Sequence, residues 1–518
     1  MGLASKKRKS SSSASFVSKT PKTKLQMLPE LPLLKVFSYL PYFPDVSNGI
    51  SRVCKKFSDL ASNPSLPTNL HINKHLLERT SIKQILKVLM RSVGLRHLKF
   101  DLNPSNCSNN SGLDGFLKIL QAISEKPCCL RSLRISTNEL SGSYIPTLEF
   151  HRSMCSSLIK ISKNSDLEVL ELGIPVCADI VIEIIDNIKH SLQSFVIRDR
   201  EIILGGNIFS KLCCCSRLEE LTIHLNKEST ASYEGIPTFG KIVRLRKLVL
   251  TAEEKFCCNL SSLSSSFLKS LECIRLINIV VRQADIENIL EHGNKLKEIE
   301  IPLVDCSVDK VLSKLSNAIY IEKLIIFQGS SITKRGLNII PSLTCLKEIC
   351  FNSIGNSLDL PSFDLINVFK TAKLHNLIRC ELDFVFLDDT CIKIITEKCP
   401  KLEIVGFNRS EKISDLSINY LVTNCNYIRE LCLEKCPNIS DNGMKYLISN
   451  CKTLKILNIK QTSVTKVYCD KELFLEEIKV ICNHKGCVNY KSDIVCEYLD
   501  EDEYDHDSYT FKDYRYRR

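Results

Sequence analysis

The chain of 518 residues contains no tryptophan, 5 methionines and only 18 glycines. So little glycine argues against a fold made of many tight glycine turns. No apolar run approaches the ~18–20 residues that a membrane helix needs. The start has no apolar h-region and instead reads Lys6-Lys7-Arg8-Lys9 followed by serines, so no secretory signal is expected. The chain is therefore expected in the cytoplasm and/or nucleus, not secreted, with no membrane partner. Its 26 cysteines should then mostly be thiols. Sequence signatures of phosphate loops, dinucleotide sites, zinc proteases and serine hydrolases are also missing, so no enzymatic activity, catalytic residue or cofactor is expected.

The charge is uneven. Of the net +11, seven positive charges (Lys6, Lys7, Arg8, Lys9, Lys19, Lys22 and Lys24) fall in residues 1–24, which hold no acid. A nucleic-acid binder would spread its positive charge over a folded face, so nucleic acid is not an expected partner. Lys6, Lys7, Arg8 and Lys9 fit a nuclear import signal. Residues 497–518 form an acidic and then basic tail.

What is abundant is leucine, 69 of the 518 residues. The motif L-x-x-L-x-L, with Ile, Phe, Val or Cys allowed, starts fourteen times between Leu95 and Leu454, and from Leu167 onward the spacing is mostly 25–27 residues. A weaker copy, Leu70-His71-Ile72, precedes these. Within a copy such as Leu218-Glu219-Glu220-Leu221-Thr222-Ile223, alternation predicts a half-buried strand. Between copies lie segments of helical period, such as Asp179–Lys189 and Ser81–Leu89. One strand and one helix cannot bury their own apolar faces, whereas a stack of such units can. The late copies carry regularly placed cysteines, and Cys425, Cys436 and Cys451 should be buried in the stack. Ser440 or Asp441 should cap a helix. The longer early intervals predict surface insertions near 101–115 and 137–155. A terminal cap at 466–496 is expected around a helix Lys471–Ile481. Among Cys469, Cys482, His484, Cys487 and Cys496, only Cys482-x₄-Cys487 has a metal-pair spacing, so no metal site is expected.

Residues 25–66 do not follow the repeat. Leu33, Val36, Phe37 and Leu40 share one helix face, with Pro32 in the first turn. Pro41 and Pro44 stop that helix. A second helix carries Ile50, Val53, Cys54, Phe57 and Leu60, and Asn63-Pro64-Ser65-Leu66 closes the unit.

Leu28-Pro29, Val36-Phe37-Ser38-Tyr39-Leu40, Val53-Cys54-Lys55-Lys56-Phe57 and Asn63-Pro64-Ser65-Leu66 together resemble an F-box. Phe57 and Pro67 stand where tryptophan is common in that family. The array from 67 to 465 resembles leucine-rich repeats of the cysteine-containing subtype. The resemblance implies an α/β architecture: a three-helix F-box followed by a curved solenoid with a parallel concave sheet and helices on the convex side. It further implies a non-catalytic substrate receptor of an SCF-type ubiquitin ligase. The F-box would bind a Skp adaptor and through it a cullin–RING ligase, and the repeats would bind a protein target. By resemblance, Leu28, Pro29, Val36, Phe37 and Leu40, with Val53 and Cys54, form or support the adaptor surface. The alternative is a non-ligase scaffolding protein whose F-box-like segment is a structural cap.

The third, fifth and seventh positions of each copy should face the concave side. Early copies place His97, Lys99, Arg134, Arg198 and Lys247 there. Central ones place Val249, Ile277, Ile325 and Phe327, and late ones Glu381, Asp383, Glu430 and Glu434. The expectation is an exposed apolar anchor flanked by charge, with a basic segment of the target meeting the late repeats.

Overall fold

A computed structural model describes residues 28–482 apart from 41, 103–110, 127–128, 138–147, 175, 198–205, 226–241, 262, 303–305, 328–331, 353–361, 384–386, 466–467 and 469–477. The tails 1–24 and 497–518, the import run Lys6–Lys9, and Arg198 lie outside the described residues. The chain divides between Leu98 and Lys99 into two compact units.

In the first unit, helix Glu30–Tyr39 begins after Pro29, with Pro32 in its first turn as expected. Leu33 and Phe37 point inward and pack with Tyr42, Val46, Phe57, Leu60 and Leu66. The Phe37 and Phe57 rings meet edge to face, 5.5 Å between centroids. The Tyr42 hydroxyl donates to the Ala61 carbonyl at 2.9 Å, so the polar end of a buried ring is satisfied. Two details depart from the sequence reading. Helical turns that were not assigned from the sequence occur within Tyr42–Gly49, interrupted by a kink at Phe43, whose backbone is not helical. The second helix is broken, because Cys54 is extended between the turn Ile50–Arg52 and the helix Lys55–Ala61. Downstream, strand Asn69–Ile72 coincides with the weak repeat copy, and helix Ile82–Arg91 starts at a Ser81–Gln84 capping box.

The second unit is one parallel ladder. Every strand from Ser132–Thr137 to Lys479–Ile481 pairs with the next in chain order. Between most strands lies a helix, as the repeat demands. The fourth and sixth motif positions, such as Leu324 and Ile326 or Leu431 and Leu433, are fully buried toward the helices. Each such side chain contributes roughly 1.5–3 kcal/mol of apolar burial. The expected early insertions are partly helical: Ser111–Ser124 and Leu148–Asn164 are long helices, which absorb much of the extra length. The expected helix Lys471–Ile481 is corrected at its end, where Lys479–Ile481 is a strand paired with Ile456–Asn458. Apolar Ile478 and Val480 alternate there with charged Lys479, a period of two that suits the last rung of the ladder better than a helix.

The regular cysteines are buried. Cys425, Cys436 and Cys451 donate to the carbonyls of Cys399 (3.5 Å), Phe407 (3.0 Å) and Ile428 (3.6 Å) in the preceding repeat. Burial pushes the Cys399, Cys425 and Cys436 thiols up to about 12, which excludes thiolate chemistry at neutral pH.

A second inter-repeat link was not legible in the sequence. Ser414 and Ser440 each cap a helix start, and Thr465 stands at the corresponding position one repeat later. The preceding repeat's aspartate holds each one twice. Asp389 accepts from the Ser414 amide (2.9 Å) and hydroxyl (2.7 Å), Asp415 from those of Ser440 (2.8 and 2.5 Å), and Asp441 from those of Thr465 (2.7 and 2.7 Å). Asp309 holds Thr333 in the same way. Gly443 gives Asp415 its space, since a Cβ there would overlap the carboxylate. Gly443→Ala should therefore destabilise the late repeats by about 1–3 kcal/mol, the scale of a lost buried hydrogen-bonding arrangement. This outweighs the ~1 kcal/mol that removing a helical glycine ordinarily returns. Amide exchange in Asp441–Asn450 would report it, and unchanged or slowed exchange would remove the steric account.

Candidate protein-interaction surfaces

In the first unit, the helix Glu30–Tyr39 has two faces. Leu33 and Phe37 form the buried one, Phe37 being 2% exposed. Pro32, Val36 and Tyr39, spaced by four and three residues, share the other, which is exposed. Tyr39 is 75% exposed, and Leu28, Leu31 and Val36 are also open. Val53, held beside the extended Cys54, is 60% exposed. Lys56 Nζ donates to the Leu28 carbonyl at 2.7 Å, which ties the Leu28-Pro29 segment to the helix Lys55–Ala61. So the residues assigned to adaptor contact divide in two. Leu28, Pro29, Val36 and Val53 are available to a partner. Phe37 is a core residue, and the half-buried Leu40 and Cys54 pack against that core, so these three can act only as support. Leu31 and Tyr39, not assigned from the sequence, add exposed apolar surface. Their exposure follows from the helix phase set by Leu33 and Phe37.

In the second unit, the third, fifth and seventh motif positions do share the sheet face away from the helices. The register sets Glu298, Lys323, Glu348 and Arg379 in one row, and Glu300, Ile325, Cys350 and Glu381 in the next. The expected exposed apolar anchor is corrected. Val249, Ile277, Ile325 and Phe327 are all buried, and Ile325, Phe327 and Cys350 form a cluster of their own. Strands ~4.8 Å apart bring large neighbouring side chains into contact, so face residues shield one another. Arg134 is exposed, while Glu430 and Glu434 are half-buried.

Charges on the central face are mostly paired. Arg275 meets Glu300 at 2.5 Å and Lys323 meets Glu348 at 3.1 Å. Arg379 pairs with Glu381 on the same strand, both buried. The Cys350 thiol donates to the second Glu381 oxygen at 3.1 Å. Asp383 differs. Burial, the largest effect, pushes its carboxyl up to about 7; the Asn408 amide and Arg409 oppose the rise, and Glu381 and Glu434 add to it.

Between pH 3.8 and about 7 the folded chain thus keeps a proton on Asp383 that the unfolded chain releases. The folded state binds more protons there, so this contribution to stability is complete below that window and falls as pH rises through it. The difference in melting temperature between wild type and Asp383→Asn should therefore change across the window and level off on either side. A constant difference would remove the assignment.

Among the described residues, no helix is long and apolar enough to cross a membrane, and no group of three or more His, Cys, Asp and Glu could hold a metal ion. Of the tail cysteines considered for zinc, only Cys482 is described.

Comparison with known proteins locates one segment. An F-box-like family model matches residues 25–73. No curated protein sequence matches the chain. Similar solved structures include the Rad7–Elc1 complex from yeast, with 15% identity, a TM-score of 0.41, and coverage of 87% of this chain and 90% of that one. An internalin (InlF) from Listeria monocytogenes shows 17% identity and a TM-score of 0.40 over 72% of this chain and 94% of its own. The TLR13–ssRNA13 complex shows 14% identity and a TM-score of 0.35, over 80% and 57%. The F-box-like match at residues 25–73 thus precedes, in the chain, a long parallel sheet with helices between most of its strands.

Proposed function

We propose that this chain is a non-catalytic substrate receptor of an SCF-type ubiquitin ligase. Its first unit docks a Skp-type adaptor, which links it to a cullin–RING ligase, and its repeat face holds a protein target for ubiquitination. The observation that carries this reading is the F-box-like match at 25–73 together with the apolar side chains left open there. Val36, Tyr39 and Val53 are large apolar residues in water on an element whose core is already filled. Such side chains are what an adaptor surface would bury. The nuclear import reading of Lys6–Lys9 stands beside this as a proposal about location.

The test is a pull-down with the full chain. Wild type should retain a Skp-type adaptor and cullin, and Val36→Asp/Val53→Asp should lose at least tenfold of both while melting as wild type does. If neither form retains the adaptor, the chain is a scaffold and the ligase reading fails.

A further inference from the structure

The helix-free face of the repeat sheet contains two buried acceptors with no donor among the described residues, Asn352 Oδ1 and Asp383 Oδ1. They are neighbours. The register pairs Phe351 with Leu382, and the Asp383 amide donates to the Phe351 carbonyl at 3.0 Å, which sets Asp383 directly beside Asn352. Phe351 and Leu382 point into the helix-side core, so Asn352 and Asp383 point to the opposite face. Asn352 is 4% exposed and Asp383 9%. One strand back in the same row stands Phe327.

Native interiors rarely leave buried polar atoms unpaired, and once Asp383 has lost its proton, above about pH 7, the two adjacent acceptors have no donor among the described residues and suit donors that arrive with a partner. We propose that Asn352 and Asp383 form the seat for one basic side chain, lysine or arginine, of the protein target. Its N–H groups would donate to Asn352 Oδ1 and Asp383 Oδ1, and its methylene stem would lie along Phe327. This deepens the receptor reading and rests on it for the word target.

Charge favours a cation over a neutral donor. Glu300, Glu348 and Glu381 each have a cation partner already, on the same face. Asp383 has the neutral Asn408 amide, with Arg409 at longer range and Glu381 and Glu434 adding negative potential. An arriving cation would complete the pattern that the other three carboxylates show. The third orphan, Arg379 Nε, lies farther back on the same strand and is a donor, suited to a carbonyl of the bound segment. The seat lies away from Glu430, whereas Glu434, also in the acidic run of the sequence, is close enough to act on Asp383.

The experiment uses the full chain with n-butylguanidinium and n-butylammonium as probes and 1-pentanol as the neutral control, read by saturation-transfer NMR and by the Asp383 carboxyl carbon shift. Both cations should bind the wild type and move that carbon. Asn352→Leu and Asp383→Asn should each weaken binding at least tenfold, and Glu430→Gln should leave it unchanged. Pentanol binding as well as the cations would overturn the seat. So would an unmoved Asp383 carbon, which would mean that Asp383 keeps its proton and shares it with Asn352. If Asp383→Asn fails to fold, the wild-type carbon shift and Asn352→Leu still decide the question. The adaptor pull-down is scored separately. Cation binding without adaptor capture would leave the seat and remove the ligase reading, and the converse would do the opposite.

Discussion

Glu381→Leu should cost the repeat array about 3–5 kcal/mol, because it leaves the Arg379 guanidinium buried without its carboxylate. Both partners lie almost wholly out of water, and the Cys350 thiol loses its acceptor as well. The pair itself adds much less net stability, since removing two charges from water offsets most of their attraction. Arg379→Met/Glu381→Leu should therefore return to within about 1 kcal/mol of wild type. The measurement is amide exchange across Glu348–Asn352 and Arg379–Leu382 in all three chains. Equal loss in the single and double variants would show that the carboxylate matters for packing and not for charge.

Phe37→Ala should cost about 3–5 kcal/mol, the usual price of emptying a large aromatic site. The F-box-like core is small, so that loss is a large share of what holds it. The edge-to-face contact with Phe57 disappears too. Amide protection in Glu30–Tyr39 and Lys55–Ala61 should collapse while Glu430–Cys432 and Ile456–Asn458 keep theirs. Adaptor capture should be lost with it. Tyr39→Ala, which removes only an exposed ring, should weaken capture and leave protection intact. If Phe37→Ala leaves protection unchanged, the buried placement of this ring is wrong.

Much of this architecture could be read from spacing. A 25–27-residue leucine period needs no tertiary knowledge, because the strand, the helix and the buried cysteines are all local to one repeat. The helix phase in the first unit was also legible, since Leu33 and Phe37 fix which side faces inward. What escaped was decided between repeats. Ser440 was readable as a helix cap, but nothing local says that Asp415, in the preceding repeat, grips it. Val249, Ile277, Ile325 and Phe327 looked exposed by alternation, yet neighbouring strands cover them. The Asn352–Asp383 pair needed a register, because one residue comes from each of two strands and their spacing in sequence is irregular. The break at Cys54 had no breaker residue to announce it.

The aspartate grips also determine what happens where the ladder is cut. Each of these repeats supplies an acid forward and a hydroxyl backward, so a chain that ends between Asp389 and Ser414, between Asp415 and Ser440 or between Asp441 and Thr465 leaves its last carboxylate without the amide and hydroxyl it holds. The array therefore has almost no neutral place to stop within this stretch, only directly after Ser414 or Ser440. Fragments ending there should fray inward from the new terminus, one repeat at a time.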